Sequence, residues 1–186
     1  MSELPRRLVH LSGSAAPLTY LFGVLTWREV SLILLGLTLL VGVLETLRLK
    51  GHIDWWIYDK LTREYEEDDV AGYVLYVVGM TATAWLFDPA VAAPAMLMLT
   101  VGDPISGYLS SADLGEKEWW VMAVTFGVCL AITVLLGVPV LAGVLGAAAA
   151  TVADARTPIV AGYVVDDNLT IPLCAGTVMW LVVALL

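Results

Sequence analysis

"VSLILLGLTLLVGVLETLRLK", residues 30–50, decides the class of this fold. From Val30 to Leu44 it carries no charge. At 1.5 Å per residue, a helix through it, lengthened by the polar residues at its ends, covers a hydrocarbon core of roughly 30 Å. Stretches of the same character run at Leu8 to Trp27, Val70 to Phe87, Pro89 to Val101, Trp119 to Leu136, Pro139 to Ala153 and Leu169 to Leu186. Together they predict seven helices and an all-α, polytopic integral membrane protein forming a single domain over residues 1–186. A composition 60% hydrophobic, with mean hydropathy +0.87, excludes an ordinary water-soluble domain. The first stretch is too long in its apolar part for a cleavable signal peptide. With only short loops between the spans, the chain is expected to act at or within the bilayer. Cys129 and Cys174 fall inside apolar stretches, where they read as small buried hydrophobes.

Lysine and arginine set the orientation, because loops rich in them stay cytoplasmic. With the N-terminus inside, every basic residue except Arg28 is cytoplasmic: Arg6, Arg7, Arg48, Lys50, Lys60, Arg63, Lys117 and Arg156. All acidic residues except Glu29 and Asp88 fall on the same side, which makes the cytoplasmic face the place to look for chemistry. The segment at about 48–69 is long enough to lie in the interface, with Trp55, Trp56 and Tyr58 at headgroup level. "GVLGAAAATVA", residues 143–153, is a small-residue face suited to close helix packing. The formal charge of -9 fits a protein from a salt-loving organism, or an acidic cation-binding surface. It leaves no basic footprint for nucleic acid.

Several polar residues sit where membrane chemistry makes them conspicuous. Arg7 and His10, three apart, share one face of the first helix at its cytoplasmic end, where they read as a snorkelling Arg and a packed or locally bonded His. Glu45 and Arg48 are likewise three apart; they form an internal ion pair, or Glu45 orients Arg48 toward a phosphate. Arg63 and Glu64 precede a run of acids that reads as a solvated, helix-capping face. In "LTVGDPISGY", residues 99–108, Gly102 and Pro104 flank Asp103, so the helix is expected to break there and present a carboxylate to a polar cavity. In "VVDDNLTIPL", residues 164–173, a helix cap accounts for one of Asp166, Asp167 and Asn168. The two aspartates together suggest hard oxygen ligands for Mg2+, with Asp154 as a further supporting acid. Carboxylates for a metal and arginines for phosphates, in a lipid-accessible setting, point to phosphate chemistry on a membrane-dissolved substrate. No P-loop, paired CxxC or nucleophile elbow competes with that reading.

With these residues in view, the chain resembles the CTP-dependent polyprenol kinase family, which includes dolichol kinase and phytol kinase. The resemblance runs through "RRLVHLSG" (6–13), "ETLR" (45–48), "LTREYEEDDVAGYVLYVVG" (61–79), "GDPISG" (102–107) and "DDNLTIPLCAG" (166–176), in that order. It implies transfer of the gamma-phosphoryl group of CTP to the hydroxyl of an isoprenoid alcohol of the dolichol or polyprenol type, with Mg2+ as cofactor. Mapped onto this chain, it implies Asp103, Asp166 and Asp167 as metal ligands, and Asp103 and Asp167 as catalytic. Arg7, His10, Arg48, Arg63, Gly102 and Asn168 would serve nucleotide and phosphates, with Glu45, Glu64 and Asp154 in support. Asp103 is the carboxylate chosen to accept the hydroxyl proton. The basic, glycine-rich stretch that the family carries after its Gly-Asp loop is replaced here by "YLSSADLGEKEWW" (108–120), whose one base is Lys117. Two other readings share these residues: a lipid cytidylyltransferase making a CDP-lipid, and a non-catalytic lipid-binding or transport protein.

Overall fold

The computed structural model describes residues 4–62, 66, 68–110, 117–155, 159–160, 163–164 and 166–186. The apolar stretches wind into helices, the form in which a backbone segment satisfies its own N–H and C=O groups without water. In chain order these are α1 (Leu4–Ser12), α2 (Ala15–Leu21), α3 (Trp27–Leu49), the single turn α4 (Tyr58–Leu61), α5 (Gly72–Leu86) and α6 (Pro89–Leu97). A π-helical segment, Met98–Gly102, joins α6 to α7 (Asp103–Leu109), and α8 (Trp119–Leu135), α9 (Val140–Ala155) and α10 (Asp167–Leu185) follow. Among the described residues the extended pairing is a short antiparallel ribbon, β1 (Ile159–Val160) against β2 (Tyr163–Val164), between α9 and α10. Among the described residues the fold is all-α apart from this ribbon.

Among the described residues three helices are long and apolar enough to cross a membrane: α3 with 23 residues, the continuous stretch Pro89–Leu109 with 21, and α10 with 19. α5, α8 and α9 are shorter apolar helices. Leu39, Leu40 and Val43 of α3, Leu141 of α9 and Leu181 of α10 are exposed. Large aliphatic faces left open in this way are those of helices that meet lipid rather than water.

The first apolar stretch departs from the single helix expected over Leu8 to Trp27. Pro17 has no N–H to offer the carbonyl of Gly13, which accepts from Ala16 N at 3.1 Å instead, so the chain turns between α1 and α2. Ser14 Oγ donates to Thr100 Oγ1 at 2.9 Å and ties that turn to the π-helical segment. The break expected at Asp103 is also different in kind. Gly102 and Asp103 both keep right-handed helical backbone, and the irregularity is the wide π turn just before them. Pro104 would leave the carbonyl of Thr100 without its α-helical donor, and a widened turn accommodates that loss without ending the helix.

Packing is close where side chains are small, since lipid tails supply no hydrophobic drive between helices. Ala142, Gly143, Gly146, Ala147 and Ala150 of α9 are buried, as the small-residue face predicts, and a Cβ on Gly146 would collide with Met179 of α10. Pro172, inside α10, cannot donate to the carbonyl of Asn168. That carbonyl packs instead on Gly79 of α5, where an added Cβ would lie 2.5 Å from it. The buried centre is filled by Met80, Met96, Met98, Leu99, Ile171 and Met179.

The segment at 48–69 leaves Trp55 and Trp56 exposed, as expected of an interfacial stretch. Tyr58 differs from expectation: it is buried, stacked between Trp55 and Tyr73 with ring centroids 5.9 and 6.4 Å away.

Candidate functional site

Successive apolar helices run up and down, so the end of one and the start of the next meet at the same end of the bundle. At that end, one carboxylate oxygen each from Asp103, Asp154 and Asp167 lies within 4.8 Å of the others. Asp103 opens α7, Asp154 sits in the last turn of α9, and Asp167 opens α10. These are three separate stretches of sequence, and nothing but the helix packing brings them together.

Each carboxylate has its own surroundings. Asp103 Oδ2 lies 3.0 Å from His10 Nδ1, and the His10 ring stands edge-on to Tyr76 with centroids 4.3 Å apart. Tyr76 donates to the backbone carbonyl of His10 at 2.8 Å, so α5 fixes both ring and backbone of the residue that faces Asp103. His10 Nε2 is buried without a hydrogen-bond partner among the described residues. Asp154 is only 4% exposed, and both its oxygens face donors: Lys117 Nζ at 2.7 Å from Oδ1 and Ser106 Oγ at 2.6 Å from Oδ2. Lys117 also donates to Ser106 Oγ at 2.9 Å, closing a three-membered network.

Adjacent aspartates cannot serve one site equally at a helix start. Asp166 is the N-cap of α10 and accepts from Asn168 N at 2.9 Å, whereas Asp167, one position on, projects in a different direction around the axis. Asp166, expected as a metal ligand, is therefore not in the acidic group, and Asp154, expected only in support, is. The Asp166 carboxylate faces the start of α5 instead, where Asp166 Oδ2, Glu66 Oε1 and Asn168 Nδ2 would all lie within 3.4 Å of a Cβ on Gly72. Asn168 Oδ1 is buried without a partner among the described residues.

Glu45 and Arg48 form a second polar cluster. Arg48 Nε and Nη2 each donate to the Glu45 carboxylate at 2.8 Å. That carboxylate also accepts from Ala71 N at 2.8 Å and from the hydroxyl of Tyr73. Arg48 Nη2 donates further to the carbonyls of Asp69 at 2.7 Å and Glu66 at 3.2 Å. Glu45 is only 3% exposed. The pair is thus a clamp between the end of α3 and the segment entering α5.

The remaining expected residues divide. Arg7 lies over α7, its Nε and Nη2 both 3.9 Å from where a Cβ on Gly107 would stand, one turn beyond Asp103. Gly102 packs against Cys129 Sγ. Arg63 and Glu64 lie outside the described residues. Reading the sequence missed Ser106 and Lys117. Lys117 carried the one available signal, as the sole base in an otherwise acidic loop.

Three hard carboxylates at this spacing fit an oxygen-loving divalent cation such as Mg2+, which takes one or two protein carboxylates and completes its shell with water and phosphate. Asp103 and Asp167 have the right chemistry and position for that role. Compared with protein-family models, with curated proteins and with solved structures, the chain matches none.

Proposed function

We propose that the chain is a membrane-embedded, Mg2+-dependent lipid kinase that moves the gamma-phosphoryl group of CTP to the hydroxyl of an isoprenoid alcohol, giving the prenyl phosphate. The observation that carries this reading is the grouping of Asp103, Asp154 and Asp167 at one end of an apolar helix bundle, beside Lys117 and near Arg7. Three carboxylates this close repel one another in a low-dielectric setting, so the group is best understood as one that receives positive charge. The sequence resemblance supplies nucleotide and alcohol. In the full topology of this proposal, all seven apolar stretches pass the bilayer with the N-terminus cytoplasmic, and the acidic group opens to the cytoplasmic side.

Phosphoryl transfer asks mainly for in-line positioning and for neutralisation of charge on the transferred group, which is what a bound Mg2+ supplies. In this chain Asp103 and Asp167 would hold that ion. His10 fixes the orientation of Asp103, and Arg7, over Gly107 one turn further along α7, is a guanidinium available to a phosphate oxygen. Of the two roles assigned to Asp103, ligand and proton acceptor, its place in the acidic group favours the first. The clamp at Glu45 holds the start of α5 in place, and Gly72 there packs on the residues flanking Asp167.

The test is label transfer. Purified protein in lipid with Mg2+, gamma-labelled CTP and prenols from geranylgeraniol to dolichol is expected to give labelled prenyl phosphate, lost on Asp167→Ala. Folded protein giving no label from CTP, ATP, GTP or UTP overturns the kinase reading. A CDP-lipid with released pyrophosphate would replace it by cytidylyl transfer.

A further inference from the structure

Trp27 of α3 donates its indole N–H to the carbonyl of Ala84, in the last turn of α5, at 3.0 Å. Trp85 of α5 does the reverse, donating to the carbonyl of Ser31 on α3 at 3.2 Å. The two indoles are thereby pinned across the seam between antiparallel helices. Beside them opens a crevice of about 480 Å3, lined also by Arg28, Leu32, Phe87 and Asp88. That volume lies within the roughly 300–1,000 Å3 of sites that hold small ligands. The crevice sits at the start of α3 and the end of α5, whereas the Glu45 clamp joins the end of α3 to the start of α5. At 1.5 Å per residue, α3 separates the two levels by roughly 30 Å, so in a bilayer that α3 crosses they lie in opposite headgroup layers. Tryptophan is the residue expected at such a level.

Two charges line this crevice, and each forgoes a local advantage. Asp88 is the N-cap of α6, yet its carboxylate makes no cap bond. Arg28 stands in the first turn of α3, where the helix dipole favours an anion over a cation. Both residues are exposed, and among the described residues neither side chain has an ion-pair or hydrogen-bond partner. Opposite charges held in one crevice without joining each other are complementary to a ligand that carries both signs. We propose that the crevice binds the headgroup of a zwitterionic phospholipid, its phosphate on Arg28 and its ammonium on Asp88. The guanidinium offers paired donors for phosphate oxygens, and Trp85, 57% exposed, offers its ring to the ammonium. Leu32 and Phe87 supply the apolar wall for the first carbons of the chains. An anionic lipid would satisfy Arg28 but bring Asp88 a charge of its own sign. The inference rests on α3 crossing a bilayer and on nothing in the phosphoryl-transfer reading.

The test is lipid binding by native mass spectrometry of the full chain, stripped of lipid in mild detergent and titrated with three lipids of identical chains. Phosphatidylethanolamine carries both charges, phosphatidylglycerol the phosphate alone, and diacylglycerol neither. Wild type is expected to bind phosphatidylethanolamine at least about threefold more tightly than either of the others. Arg28→Gln is expected to lower phosphatidylethanolamine binding to the level of diacylglycerol. Asp88→Asn is expected to bring the two phospholipids within about twofold of each other, while Asp88→Glu keeps the wild-type order. Because both side chains are exposed, the lipid-free unfolding temperature of each variant is expected to match wild type. The inference is overturned if wild type takes phosphatidylglycerol or diacylglycerol as tightly as phosphatidylethanolamine, or if the wild-type order survives Arg28→Gln or Asp88→Asn. Failure of the kinase reading would leave this lipid order unchanged, and failure of the lipid order would leave label transfer unchanged.

Discussion

Tyr73 of α5 donates its hydroxyl to the carboxylate of Glu45 on α3, so the first turn of one helix is fastened to the last turns of another. The same carboxylate takes the backbone N–H of Ala71, the N-cap residue of α5, which has no side-chain cap of its own. Glu45 thus does from a neighbouring helix what a capping-box glutamate does within its own.

Removing Glu45 takes from the Arg48 guanidinium its carboxylate, and from the Ala71 N–H and the Tyr73 hydroxyl the acceptor they share. Glu45→Ala is expected to cost about 3–5 kcal/mol, and Tyr73→Phe about 1–2 kcal/mol, in thermal unfolding followed by tryptophan fluorescence in detergent. An unchanged unfolding temperature for Glu45→Ala would show that the clamp holds nothing.

Gly79 is a second point of close contact. A methyl group there meets backbone, Asn168 O at 2.5 Å and Leu169 Cα at 3.3 Å, which cannot rotate away as a side chain would. Gly79→Ala is expected to destabilise by about 1–3 kcal/mol and, by pushing the start of α10 outward, to lower label transfer as well. Full activity in a stable Gly79→Ala protein would place α5 and α10 farther apart than they stand here.

Tyr58 gives the opposite expectation. Its hydroxyl is buried with no hydrogen-bond partner among the described residues, so Tyr58→Phe relieves an unmet polar group. The variant is expected to unfold at the wild-type temperature or slightly above. A loss of more than about 1 kcal/mol would mean that the hydroxyl has a partner.

Asp166 and Asp167 are neighbours with separable roles. Asp166→Ala removes a helix cap and is expected to cost about 1 kcal/mol of stability while leaving measurable transfer. Asp167→Ala is expected to reduce transfer at least about a hundredfold. Saturating Mg2+ is expected to raise the unfolding temperature of the wild type, and chelation to reverse this, whereas Asp167→Asn shows neither response. Equal behaviour of the two variants would undo the division of labour.

Much of this fold is legible in the sequence because hydropathy is a one-dimensional property. The uncharged stretches became helices, and the small-residue face of α9 packs where it was expected to. Asp103 and Asp167 stood out for the same reason, as acids next to helix-altering residues in apolar surroundings. What stayed hidden depends on partners far along the chain. Lys117 and Asp154 are 37 residues apart, and Ser106 and Asp154 48 apart; no local pattern marks either contact. The turn at Gly13 and Ser14 was missed because an apolar run containing a single proline reads as continuous helix. Tyr58 was misplaced because an aromatic near a membrane surface suits either the interface or the bundle.

The π-helical segment Met98–Gly102 gives the stretch Pro89–Leu109 one residue more than a regular α-helix of the same facing would hold. Deleting one residue of 98–102 would rewind the stretch as α-helix and leave α7 facing much as it does now, whereas a further inserted residue has no second wide turn to take it up and would rotate everything beyond it by about 100°. That rotation would swing Asp103 away from His10, Asp154 and Asp167. Length in this stretch is therefore tolerant in one direction and constrained in the other: a substitution there alters one contact, whereas an insertion re-aims the site.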